Sequence, residues 1–297
     1  MGSLDAHRDA RRVVVSRMGA IGDTLVCFPV LDLLRNRCPK AQISAVGRGE
    51  VFQLAFEDGL CDSVHAPDAV ALWRLPFPEP DDRADMFWRG TDLWLDLDGL
   101  ELPADSGCRR GIGARLSFLA LPPPGGRQQV SRWILDRLGE TSAPAFVPSR
   151  LPRSPSSGAP LIAVAPGAGS PRKRAPAAWF DALARDLCAR GAEPILVAGE
   201  ADTEAIEEFS RAGTPWARRW IRLPLPELAR RLRTCAAFVA NDSGVAHLAA
   251  WLSLPGIVRF VASDPRVWAP PSPWVRAIGA ETEEPEMPPD RAADLLL

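Results

Sequence analysis

Twice along this chain, short β-branched or apolar runs alternate with stretches of helical periodicity, and this doubled alternation limits the fold more than any other feature of the sequence. A short, continuous apolar run reads as a strand buried on both faces. Strands that alternate with helices lie parallel, because a crossover helix returns the chain to the same edge of the sheet. The first round opens with Val13-Val14-Val15, followed by a loop over 17–23. A helical pattern with Leu25, Phe28, Leu31, Leu33 and Leu34 toward the core then ends near Pro39. Residues 43–46, the vicinity of Val64 and residues 93–97 read as further strands. Residues 128–138 read as a helix carrying Val130, Trp133, Ile134 and Leu138. The second round predicts strands at 161–165, 194–198, 220–221, 238–240 and 257–261, with helices at 177–190, 202–211, 226–233 and 244–252.

Between the rounds, 141–160 holds Pro144, Pro148, Pro152, Pro155 and Pro160 with Ser154, Ser156, Ser157 and Gly158. Proline withholds the backbone donors that a helix or sheet needs, so this stretch reads as a linker. The expected division is a Rossmann-like half over 1–152, a second over 153–280, and a C-terminal tail over 281–297 with a short terminal helix. The fold class is α/β, two Rossmann-like domains facing each other across a cleft. In such sheets ligands sit outside the carboxyl ends of the strands.

Composition removes several alternatives. Apolar residues make up 46% and charged residues 24% of 297, the balance of a soluble globular protein. A net charge of −2 points to neither nucleic acid nor a membrane. Its distribution is uneven: 109–153 is rich in arginine and 57–105 in acids. The arginines suit an anionic partner or form a solvated face. Six cysteines without a Cys-x-x-Cys pair, beside three histidines, predict no metal site and reduced thiols. No signal-like core opens the chain, and no run reaches the roughly 18–20 apolar residues of a membrane span. The expected location is cytoplasmic, with at most a peripheral position at the inner face of the membrane.

Three loops at strand ends carry candidate chemistry. Asn241-Asp242-Ser243-Gly244-Val245-Ala246-His247 joins a strand directly to an apolar helix. Asp242 or Ser243 can cap that helix, Gly244 admits close approach, and the free N–H groups suit a diphosphate. A plain N-cap followed by a core histidine is the alternative reading, and for an isolated Asp-Ser-Gly it is the commoner one. Pro166-Gly167-Ala168-Gly169-Ser170-Pro171-Arg172-Lys173-Arg174 is a flexible basic loop, suited to an anion or simply a solvated basic turn; its spacing is not that of a Walker loop. Arg17-Met18-Gly19-Ala20-Ile21-Gly22-Asp23-Thr24 lacks the Gly-x-Gly-x-x-Gly of dinucleotide binders. Asp23 begins a helix, as a general base for an acceptor hydroxyl or as an ordinary N-terminal helix acid. In Asp96-Leu97-Asp98, Asp96 reads as a structural strand-end residue rather than a metal ligand.

Taken in chain order, these motifs resemble glycosyltransferase family 9, the ADP-heptose:lipopolysaccharide heptosyltransferases. The resemblance spans nearly the whole chain. It rests on Arg17 through Asp23 with Phe28-Pro29, the 93–98 strand, Pro166-Gly167 through Lys173 and Pro176, Asn241-Asp242-Ser243-Gly244-x-x-His247, and Phe260 through Asp264-Pro265 with Trp268-x-Pro270. It implies a GT-B fold and an inverting transfer of heptose, or a related sugar, from an ADP-sugar to a lipopolysaccharide-core or other glycan or glycolipid acceptor. It implies no cofactor and no metal. Asp23 and Lys173 would be catalytic. Gly169, Ser170, Lys173, Glu200, Asp242, Ser243, Gly244 and His247 would bind the donor, and Arg17, Gly22 and Asp23 the acceptor. The chain departs from the pattern at Ala175, where the family has tryptophan, and at Gln128-Gln129, where a histidine often opens the helix. Another nucleotide sugar, another acceptor, or a catalytically silent nucleotide-sugar-binding protein are the alternatives.

Overall fold

The computed structural model describes the chain except residues 1–3, 78, 80, 103–110, 123–124, 280–281, 283 and 285. Arg109 and Arg110, which open the arginine-rich span, and Cys108 therefore lie outside the described residues. The chain divides into two compact units, Met1–Pro124 with Val130–Val147, and Gly125–Gln129 with Pro148–Leu297.

The first unit is built on a parallel sheet of five strands, β1 (Arg12–Arg17), β2 (Gln42–Gly47), β3 (Ser63–His65), β4 (Leu93–Asp96) and β5 (Ala114–Ser117), in the order β3-β2-β1-β4-β5. The valine run of β1 is central and fully enclosed. The single helix expected after the first loop is instead two, α1 (Ile21–Leu25) and α2 (Phe28–Arg37). Pro29 causes the restart, because its missing N–H and fixed φ are tolerated only in a first helical turn. Helices α3 (Gly49–Glu57) and α4 (Asp82–Trp88) cross over between strands, and α5 (Val130–Arg137) closes the unit. Trp88 and Trp94 pack in its core with ring centres 4.7 Å apart and planes tilted by 53°, and the Trp88 indole N–H donates to the Val70 carbonyl at 2.9 Å.

The second unit carries β6 (Leu161–Ala165), β7 (Glu193–Ala198), β8 (Arg218–Ile221), β9 (Ala237–Asn241), β10 (Gly256–Phe260) and β11 (Val275–Gly279), all parallel, in the order β11-β10-β9-β6-β7-β8. The crossovers are α6 (Ala177–Ala189), α7 (Thr203–Ala212), α8 (Leu225–Leu232), α9 (Gly244–Trp251) and the short α10 (Pro265–Trp268). The C-terminal residues form α11 (Pro289–Leu296), which packs on α6 and buries Ala292, Ala293 and Leu296 in the same core as Phe180 and Leu183. From Pro148 on, the proline-rich stretch is laid along this unit. Ser149 and Ser154 N–H groups donate to the carbonyls of Trp251 and Arg233. The Arg153 guanidinium donates to those of Ser253, Cys235 and Ala236.

Both sheets change direction of growth next to their first strand. In the first unit β1 lies between β2 and β4, and in the second β6 lies between β7 and β9. At such a switch point the loops leaving two neighbouring strands part and open a crevice at the carboxyl edge. All three candidate loops leave from these points.

Candidate functional site

In the second unit the ends of β6 and β9 are register neighbours, Ala165 facing Ala240, so their loops emerge side by side. Asn241, fully buried, ties the two together: its side-chain N–H donates to the Pro166 carbonyl at 2.6 Å, and its side-chain oxygen accepts from the Ala175 N–H at 3.2 Å. Ser243 caps α9, its hydroxyl accepting from the Ala246 N–H at 3.4 Å. Gly244 is the first helical residue and His247 is buried on the first turn, its N–H donating to the Ser243 carbonyl.

The basic loop closes over this helix start. Ser170 caps a single 3-10 turn over Pro171–Lys173, which turns the Lys173 side chain back. The Lys173 ammonium lies 2.7 Å from Asp242 Oδ2 and over the Trp268 ring, 5.9 Å from its centre. The Asp242 carboxylate is 5% exposed and also accepts from the Ser263 hydroxyl. The lysine is thus a buried carboxylate's counter-ion, with a third of its side chain still open to solvent. Its charge sits at the N-terminus of α9, where the helix dipole and a cation together favour an anion. The Asp242 carboxylate holds the lysine and its N–H donates to the Arg259 carbonyl at 3.1 Å, so the backbone donors on offer to an anion are those that follow it at the start of α9.

The remaining donor candidates surround this pair. Nothing crowds Gly169. Glu200 is exposed, in a 3-10 turn over Glu200–Asp202. The third residue of that turn, Asp202, caps Gly199 at 2.8 Å and presses on Gly167, where a Cβ would stand 2.0 Å from the carboxylate. Ala175, at the position of the family's tryptophan, lines a cavity of about 300 Å³ with Pro166, Ala177 and Phe209.

In the first unit, Asp23 is the third residue of α1. One carboxylate oxygen accepts from the Ala20 N–H at 3.3 Å, and the side chain is half-buried. Gly22 precedes it on the same turn. Arg17 lies beneath the loop, 3% exposed, with its guanidinium spent on the Leu97 carbonyl at 2.9 Å, on Asp98 at 3.3 Å and on the Asp23 carbonyl at 3.4 Å. Asp96 is fully buried and accepts from the Asp98 and Leu100 N–H groups, Arg115 and the Ser117 hydroxyl. That is a structural carboxylate with its oxygens fully used. The thiols of Cys27, Cys61 and Cys235 are pushed up to about 12 by burial, which makes them inert apolar side chains.

Trp268 and Ser263 had entered the sequence reading only as neighbours or members of a loop motif, and Asp98 only as half of an acidic pair. Contacts some 20 to 95 residues apart in sequence bring them to the candidate loops.

Two parallel-sheet units, with a basic loop at the switch point of one and an acidic residue in the loop at that of the other, have the architecture of the GT-B class of sugar transferase folds. The sequence profile of glycosyltransferase family 9 (heptosyltransferase) matches residues 140–294. The chain belongs to that family. Lipopolysaccharide heptosyltransferase 2 of Salmonella typhimurium is 34% identical over 129 residues, which is 41% of this chain and 37% of that protein. The chain thus aligns with little more than a third of that relative's length. The fold is shared with Escherichia coli ADP-heptose lipopolysaccharide heptosyltransferase II, at a TM-score of 0.72 and 21% identity over 96% of this chain and 97% of that one. It is shared also with Escherichia coli heptosyltransferase WaaC with ADP, at a TM-score of 0.67 and 17% identity over 90% and 92% of the two chains.

Proposed function

We propose that this chain is an inverting, metal-independent glycosyltransferase that moves a heptose or related sugar from an ADP-sugar to a lipopolysaccharide-core or other glycan acceptor. The observation that carries the reading is the Lys173 ammonium 2.7 Å from Asp242 at the head of α9. The relatives named for ADP-heptose and lipopolysaccharide supply the donor and acceptor class. In this mechanism the donor diphosphate lies against the backbone at the start of α9, with Ser170, Gly169 and Glu200 around it and His247 behind. An acceptor hydroxyl attacks the anomeric carbon from the face opposite the diphosphate. Asp23 takes the hydroxyl proton as the C–O bond forms. The bond to the diphosphate breaks, and the charge that ADP carries away is met by Lys173 and the helix amides. Both acids of the Asp96/Asp98 pair are held by protein donors, which supports a reaction in which lysine and helix, not a metal, stabilise the leaving group. Action from the cytoplasmic side, on an acceptor at the inner membrane face, belongs to the same reading. Among the described residues no helix is long and apolar enough to cross a membrane.

The test is ADP release with a panel of ADP- and UDP-sugars and delipidated core acceptors. The expected outcome is turnover with an ADP-sugar, falling about 10²- to 10⁴-fold in Asp23→Asn with the affinity for ADP retained. Donor binding without transfer to any acceptor would instead identify a silent binding protein.

A further inference from the structure

We propose that Asp98 is a positioning residue for the proposed reaction, holding the loop that presents Asp23. The inference rests on the reading of Asp23 as general base. The bonds that tie the stretch between Arg17 and Asp23 to the end of β4 converge on one carboxylate and one guanidinium. Both oxygens of Asp98 accept from the Met18 N–H, at 2.9 and 3.0 Å, and one of them also meets the Arg17 guanidinium at 3.3 Å. Arg17 in turn donates to the Leu97 carbonyl, beside Asp98, and to the carbonyl of Asp23 itself. The chain of contacts therefore runs from Asp98 through Arg17 to the residue that carries the base.

From the helix side the loop is held by the Thr24 hydroxyl, which donates to the Gly19 and Ala20 carbonyls at 3.3 and 3.0 Å; from the sheet side the support is Arg17 and Asp98. At Gly19 a Cβ would stand 2.7 Å from the Asp23 Cβ and 2.9 Å from Arg17 Nε, so the guanidinium and the Asp23 side chain flank the same glycine hydrogen. The ion pair is nearly dry, with side-chain exposures of 3% for Arg17 and 13% for Asp98. A buried guanidinium that loses its carboxylate seeks another one. The half-buried carboxylate at hand is that of Asp23. Without Asp98, Arg17 would turn toward Asp23 and the Met18 N–H would lose its acceptor, so the base would be both displaced and engaged. Asp98 itself is held by Asp96, whose side chain accepts from the Asp98 N–H at 3.1 Å. A strand-end acid pair thereby anchors a loop 80 residues earlier in the sequence.

The experiment is a double-mutant cycle on the full-length enzyme with steady-state kinetics and ADP calorimetry. Asp98→Asn retains an acceptor for Met18 and removes the charge. The expected result is a kcat lower by about 10- to 100-fold, the cost of a misplaced group, with donor KM and ADP affinity unchanged within about twofold. In the Asp23→Asn background, Asp98→Asn should change kcat by less than about twofold, because its route to the chemistry is already cut. Full additivity of the two substitutions, or equal losses of kcat and ADP-binding capacity, would overturn the proposal. So would wild-type kcat in Asp98→Asn. If Asp23→Asn itself turns over normally, the base assignment fails first, and the cycle shows which of the two claims has gone.

Discussion

At the scale of single residues, one histidine whose pKa departs from its ordinary value gives this chain a specific response to pH. His65 sits on the edge strand β3, its Nε2 2.9 Å from the Ser63 hydroxyl, which donates to Ser44 at 3.0 Å. Its ring meets the edge of Phe87 at 4.8 Å. Burial, and then the charge of Arg12, hold its pKa below the ordinary 6.5. The unfolded chain, with the ordinary value, therefore binds a proton first as pH falls. Stability from the neutral ring is intact above about 6.5 and is lost as pH drops through the lowered folded value. The wild-type urea midpoint should thus fall between pH 7.5 and pH 5.5 by more than that of His65→Gln, with equal m-values. Equal falls in the two proteins would show that this ring contributes nothing to acid sensitivity.

At the scale of elements, the two loops proposed to hold the donor depend on one buried amide. Asn241 ends β9 and satisfies one group on each of the loops at 166 and 175. Asn241→Ala leaves the Pro166 carbonyl and the Ala175 N–H unpartnered in the interior, at about 1–3 kcal/mol for each group. The expected result is a lower denaturant midpoint together with a raised donor KM, because the same two bonds that stabilise the unit also set the spacing of the loops. A stability loss with an unchanged KM would separate the two roles. The strands flanking Asn241 were legible in the sequence because buried parallel strands are continuous apolar runs, and both β6 and β9 are of that kind. The edge strands β5 and β11 were not, since Ala-Arg-Leu-Ser and Val-Arg-Ala-Ile-Gly are partly exposed and carry no such run. Helix α3 had its apolar stripe at Val51, Phe52, Leu54 and Ala55 in plain view and was passed over, whereas the split between α1 and α2 could have been read from Pro29. Lys173 and Asp242 were visible as candidates from their loops. Their 2.7 Å pairing, like that of Asp98 with Met18, is created by sheet order, to which local periodicity is blind.

At the scale of the whole molecule, the two units have separate cores and separate candidate chemistry, with the donor cations in the second and Asp23 in the first. A ligand that binds only the native form stabilises the unit that binds it, by ~2.7 kcal/mol at a hundredfold excess over its dissociation constant. ADP alone, without sugar or acceptor, should therefore raise the melting temperature of the transition that includes the second unit. For a folding unit of this size each kcal/mol corresponds to roughly 2–4 °C, so the shift should be about 5–10 °C. Lys173→Ala removes the cation but leaves Asp242 buried beside its Ser263 donor, and at the same ADP concentration most of the shift should vanish. Asp23→Asn should keep the full shift, because in the proposed mechanism its carboxylate meets the acceptor and not the diphosphate. Scanning calorimetry of the three proteins with and without ADP separates these outcomes. A shift lost in Asp23→Asn but kept in Lys173→Ala would reverse the assignment of donor and acceptor sides.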